Sequence, residues 1–184
     1  MAAMKKRVGR RRAAPIVGFS GPSGSGKTRL LVRLVPALVR RGLRVAALKH
    51  SGHPHGFDRR GKDSERLVRA GALAVAVEGP SALAYFGPPA GGSRAMARLL
   101  PPVDVIVAEG FRSERLWRVE LHRRTIAPGF LCARDRRIVA VVTDEPPPRR
   151  IPSFAPGEID ALADFLCRRF RLGRATRPSR RRGR

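Results

Sequence analysis

The chain has 184 residues, 42% of them hydrophobic, enough to bury one compact core and to exclude wholesale disorder. Its 39 Lys and Arg outweigh 14 Asp and Glu, giving +25, with six positives in residues 1–15 and nine in residues 168–184. Apolar runs such as Ala72–Val77 are too short to span a membrane, two cysteines make no disulfide framework, and the basic N-terminus lacks a signal peptide's apolar stretch, so a cytoplasmic protein is expected.

Ile16–Ser20 reads as a short buried strand running directly into glycines. From Lys27 to about Arg41 the spacing of Leu30, Leu31, Leu34 and Leu38 predicts a helix, with a kink at Pro36 and a stop at Gly42. A second strand is expected over Arg44–Leu48, then a Gly-, His- and Pro-rich loop over His50–Gly61 and a short helix over Ser64–Ala70. Ala72–Val77 and Ala82–Phe86 read as strands around a Gly79-Pro80 turn, followed by a helix over Arg94–Leu100. Asp104–Ala108, Trp117–His122 and Ile138–Val142 complete the strands, and a last helix covers Glu158–Phe170. Strands alternating with helices imply an α/β fold, a mostly parallel sheet with helices on both faces. The folded domain is expected over residues 16–170, between Arg-rich tails at 1–15 and 171–184.

The strongest signal is Gly21-Pro22-Ser23-Gly24-Ser25-Gly26-Lys27-Thr28, a full G-x-x-x-x-G-K-[ST] pattern after a strand and before a helix. Glycines let backbone N–H groups turn inward around phosphate oxygens, and the helix start adds its positive dipole end. Lys27 is placed to reach the β- and γ-phosphates and the Thr28 hydroxyl to ligate Mg²⁺; Arg29 follows on the same helix turn. Such a P-loop NTPase also needs an acid at a neighbouring strand end. Glu109, closing the strand after Ala108, fits; Asp104 opens that strand and belongs to the far edge of the sheet.

Lys49-His50-Ser51-Gly52-His53-Pro54-His55 places three imidazoles at the end of the second strand. Clustered histidines can bind Zn²⁺, but no cysteine or second His cluster completes a ligand set, so a loop facing phosphate or a partner is the better reading. Gly61-Lys62-Asp63-Ser64 then opens a helix suited to anion or Mg²⁺-water contacts. Asp144, after strand Ile138–Val142, is a carboxylate able to accept from N1–H and N2–H₂ of guanine, a donor pair that adenine lacks. Cys132 and Cys167 show no nucleophile pattern.

Of 39 basic residues only five are lysines, and three of these are Lys27, Lys49 and Lys62, positions suited to a compact ammonium. The tails carry no aromatics among their arginines, so nucleic-acid contact is expected only as non-specific, salt-sensitive binding.

Taken together, Gly18–Thr28, Leu48-Lys49-His50, Gly61–Ser64 with Ala70-Gly71-Ala72, Val107–Phe111 and, more loosely, Val119–Arg123 resemble the MobB family of molybdopterin-guanine dinucleotide biosynthesis adaptor proteins. The resemblance covers about residues 16–170. It implies a SIMIBI-type GTP-binding protein, homodimeric, with weak GTPase activity. It also implies partnership with the guanylyltransferase that attaches GMP to molybdopterin, or with other cofactor-maturation proteins. Lys27 and Thr28 carry over as phosphate and Mg²⁺ contacts and Glu109 as the strand-end acid; Lys49, His50, Lys62 and Asp63 match motif positions. Two residues depart from the family pattern: Arg60 stands where Pro is common, and Arg112 where Lys is usual. An ATP-using small-molecule kinase, with Asp63 or His50 as base, is the other class these motifs allow.

Overall fold

The computed structural model of the chain describes residues 13–50, 66–67, 70–80 and 82–173. His53, His55, Asp58, Lys62, Asp63 and most of the helix expected at Ser64–Ala70 therefore lie outside the described residues, as do most of both basic tails.

Five-residue strands form the centre: β1 (Ile16–Ser20), β2 (Val45–Lys49), β5 (Val105–Glu109), β6 (Trp117–Leu121) and β7 (Ile138–Val142), with a two-residue edge strand β8 (Ser153–Phe154). They make one parallel sheet in the order β2-β5-β1-β6-β7-β8. The period-two alternation of a strand sends Val105 and Val107 to one face and Ile106 and Ala108 to the other. On the first face α1 (Lys27–Arg40) and α3 (Ile159–Phe170) cover a core that includes Val17, Leu34, Leu38, Leu162 and Leu166. On the second, the short α2 (Ser93–Ala97) brings Met96 and Ala97 against Ile106, Phe111 and Leu116. The expected α/β arrangement with helices on both faces is thus present.

Several local expectations differ. α1 runs through Pro36 without a break, because Pro36 lies on the exposed side, where water can take the carbonyl one turn back. Gly42 does end it: at φ 77° it lets Gly42 N–H bond Val39 O (2.8 Å) and Leu43 N–H bond Leu38 O (3.3 Å). β3 (Val75–Glu78) and β4 (Leu83–Phe86) do not join the parallel sheet; they pair with each other as an antiparallel hairpin. The short Gly79–Ala82 connection makes their mutual pairing antiparallel, since parallel neighbours need a long crossover. α2 is shorter than expected. β8 and a 3₁₀ turn over Leu131–Ala133 are too short for any sequence periodicity to announce them.

Candidate functional site

β1 lies in the middle of the sheet, between β5 and β6, and the glycine-rich loop leaves its carboxyl end. Only glycine fits at the loop's start, because a Cβ on Gly21 would come within 2.4 Å of Leu121 O. Gly24 and Gly26 take positive φ (78° and 89°), a region costly for other residues. The ladder of α1 begins with Leu30 N–H to Gly26 O (2.8 Å), so N–H groups before it have no carbonyl within the helix. Ser25 Oγ is buried and has no hydrogen-bond partner among the described residues. A loop whose helix-start amides have no helical carbonyl to bond, beside an orphaned hydroxyl, is a cradle for an anion.

The charged groups converge on this loop. Lys27 Nζ donates to Gly21 O (3.0 Å) and Pro22 O (2.7 Å), and Arg112 Nη2 donates to the same Gly21 O (2.9 Å). Burial lowers the Lys27 ammonium below the usual lysine range; Glu109 opposes the shift, and Arg112 and Lys49 add to it. Thr28 Oγ1 donates to Glu109 Oε2 at 2.9 Å. Sheet register makes that contact possible, because Glu109 lies opposite Phe19 on β1 and opposite Lys49 on β2. His50 follows: its N–H bonds Glu109 O (2.9 Å), and its ring lies 5.4 Å from that of Phe111. The approach is close enough that a Cβ on Gly110, at φ 101°, would sit 2.2 Å from His50 O.

Thr28 Oγ1 and Glu109 Oε2 are two hard oxygens beside the amide-lined loop, a set that fits Mg²⁺ completed by water and phosphate oxygens. Among the described residues no group of three or more His, Cys, Asp or Glu could hold a metal unaided.

On the other side of the loop, towards β6 and β7, lies a cleft of about 450 Å³. Gly24, Arg29 and Arg123 line it with the aliphatic Ile126 and Val142. Asp144 is not among its lining residues; it stands two residues past the end of β7, two strands from β1, and faces Arg123 with Oδ2 3.7 Å from Nη1. Neighbouring groups are structural: buried Glu120 accepts from Leu131 N–H (2.6 Å) and Cys132 N–H (2.7 Å), and buried His122 stacks on Phe130 and meets Glu145 at 2.5 Å. Burial, then Glu120, pushes the Cys132 thiol up to about 11, so no thiolate nucleophile exists there at neutral pH. Cys167 packs against the α1–α3 core.

Gly21–Arg29, Lys49, His50, Glu109 and Asp144 thus share the carboxyl edge of the sheet, with Thr28, Lys49 and Glu109 grouped at the β5 side and Asp144 apart. Asp104 is at the opposite edge, paired with Arg44 (3.0 Å). Arg112 and Arg123 were the residues that sequence reasoning did not place at the site. In a chain with 34 arginines their side chains carry no compositional signal; their marks are position, each just beyond the end of a strand next to β1, and, for Arg112, its place where the family pattern has Lys.

The family described as molybdopterin guanine dinucleotide synthesis protein B matches residues 16–144. The chain is 32% identical over 160 residues to the molybdopterin-guanine dinucleotide biosynthesis adapter protein of Escherichia coli (strain K12), covering 83% of this chain and 91% of that one. It is 33% identical over 164 residues to the Haemophilus influenzae protein of the same name, covering 83% and 87%. A crystal structure of a molybdopterin-guanine biosynthesis protein B superposes with a TM-score of 0.63 at 28% identity, covering 85% of this chain and 99% of that chain.

Proposed function

The chain belongs to the MobB family, whose role lies in molybdopterin guanine dinucleotide biosynthesis, and on that premise we propose that it binds GTP with Mg²⁺ at Gly21–Thr28 and hydrolyses it slowly. In this reading the cytoplasmic protein acts mainly as an adaptor, for the guanylyltransferase that attaches GMP to molybdopterin or for other proteins that mature the cofactor.

The observation that carries the reading is the 2.9 Å contact between Thr28 and Glu109, which joins the end of the phosphate loop to the strand-end acid. Backbone amides from Gly24 to Thr28 hold the phosphates, and Lys27 leaves its loop carbonyls to neutralise them. Bound Mg²⁺ would supply charge neutralisation at the phosphates, with Thr28 and Glu109 holding it directly or through water. Lys49 stands beside Glu109, and Asp144, just past the end of β7 and next to the cleft residue Arg123, accepts from the guanine edge. Lys62 and Asp63 remain candidates for contact with the phosphates or metal waters.

A homodimer is part of the same proposal. The β3–β4 hairpin bonds only to itself among the described residues, and a lone two-stranded hairpin is marginal in water. Leu83 and Tyr85 are exposed on one of its faces, a surface suited to a second copy. Sedimentation of wild type against Leu83→Asp tests this: the variant is expected to run as a monomer, and an unchanged mass would remove the hairpin from the interface.

Calorimetry of Mg²⁺·GTP and Mg²⁺·ATP binding to wild type and Lys27→Ala tests the nucleotide reading. GTP is expected to be preferred, and the variant to lose at least about tenfold in affinity, the effect of one charged hydrogen bond. Equal binding by the variant would refute it.

A further inference from the structure

Arg112 is mounted more firmly than any exposed arginine needs to be. Behind it, the buried Arg118 donates through Nη2 to Phe111 O (3.1 Å), Arg112 O (2.8 Å) and Glu114 O, while its Nη1 pairs with Asp135 (3.0 Å). Glu114 in turn accepts from Ser93 N–H (2.7 Å) and from the Ser93 hydroxyl at the start of α2. The segment from Gly110 to Glu114 is therefore fixed from behind, and the Arg112 guanidinium projects forward onto Gly21 O, 2.9 Å away.

That carbonyl already accepts from Lys27 Nζ. Two full cations share one neutral oxygen, with Lys49 close by and Glu109 the acid that Thr28 contacts. A neutral carbonyl compensates a guanidinium less well than an anion does, so the arrangement is poised to exchange its partner. We propose that Arg112 is a second phosphate-facing cation of the loop, exchanging Gly21 O for the terminal phosphate of a bound nucleoside triphosphate. Its direction of approach selects that phosphate. Arg112 comes from the β5 side, with Glu109 and Thr28, whereas the cleft that would take the nucleoside opens towards β6 and β7. The planar fork of a guanidinium matches two phosphate oxygens, and a fixed mount reduces the ordering cost of that contact.

The inference rests on the nucleotide-binding reading, and one calorimetric series separates the two. Mg²⁺·GTP and Mg²⁺·GDP are titrated into wild type, Arg112→Ala, Arg112→Gln and Lys27→Ala, with thermal unfolding of each. Arg112→Gln keeps a donor for Gly21 O and guards against a merely unfolded variant. Both Arg112 variants are expected to lose about tenfold or more for GTP while GDP stays within about twofold. Equal losses for GTP and GDP, or none, with Lys27→Ala impaired, would overturn the role of Arg112 alone and leave it a strut. Undiminished GTP binding by Lys27→Ala would overturn the nucleotide reading and this inference with it.

Discussion

At the carboxyl edge of the sheet, the β5 side is a closed network while the β6–β7 side is an open recess. On the β5 side Lys27, Thr28, Glu109 and Arg112 each have a partner within 3.0 Å, and the backbone beneath them is locked by Gly110 and by buried Arg118. On the other side the cleft is lined by Arg29, Arg33 and Arg123 together with Leu30, Ile126 and Val142, and Arg123 reaches Asp144 only at 3.7 Å, with its Nη1 buried and making no hydrogen bond among the described residues. The difference is between a preorganised set of dipoles and charges and a space still waiting for polar partners. Preorganisation suits an anion of fixed shape such as a phosphate chain. A recess that sets Leu30, Ile126 and Val142 among three arginines suits a planar heterocycle, which offers an apolar face and acceptor edges for the cations.

The largest break in that comparison comes from the mount of the β5 side. Arg118→Ala would take the Nη2 donor from three carbonyls and leave Asp135, among the described residues, with only Arg137 as an ion-pair partner. Leaving a buried or part-buried acceptor without its charged donor costs about 1–3 kcal/mol, and urea unfolding should show a loss of at least that size. Surviving folded protein should bind GTP and GDP equally poorly, because the whole phosphate side loosens. A loss below about 1 kcal/mol would mean that the segment after β5 is held by packing of Phe111 and Leu116, and the closed network would lose its structural meaning.

How much of this was legible beforehand follows the same division. The phosphate loop, its strand and helix, and Glu109 could be read because each depends on local pattern: glycines before a helix, an acid closing an apolar run. The six-strand sheet was legible as a class, since alternating strands and helices leave few packings. Its order was not, because pairing β1 between β5 and β6 is a long-range choice that no local spacing encodes. The same holds for Arg112 and Arg123. Each reaches the site through a contact about 90 residues away or through a cleft assembled from four segments, and neither contact can be read from the local sequence. The hairpin was read as two strands, but its separation from the sheet is decided by tertiary packing.

The smaller and sharper test lies on the recess side. Asp144→Asn keeps the shape of the side chain but replaces half of its acceptor capacity with a donor. If Asp144 accepts from guanine N1–H and N2–H₂, the variant loses a charge-assisted contact specific to guanine, and the ratio of GTP to ATP affinity should fall about tenfold. Its stability should stay within about 0.5 kcal/mol of wild type, since Asp144 is more than half exposed and its ion pair with Arg123 is long. Arg123→Ala in parallel distinguishes the partners, because a cation can meet only the acceptor edge of the base, O6 and N7 of guanine. A ratio unchanged in Asp144→Asn but lowered in Arg123→Ala would assign base recognition to the cation and leave the carboxylate as its orienting partner. A ratio unchanged in both would mean that the recess does not read the base, and the contrast between the two sides would then be one of packing alone.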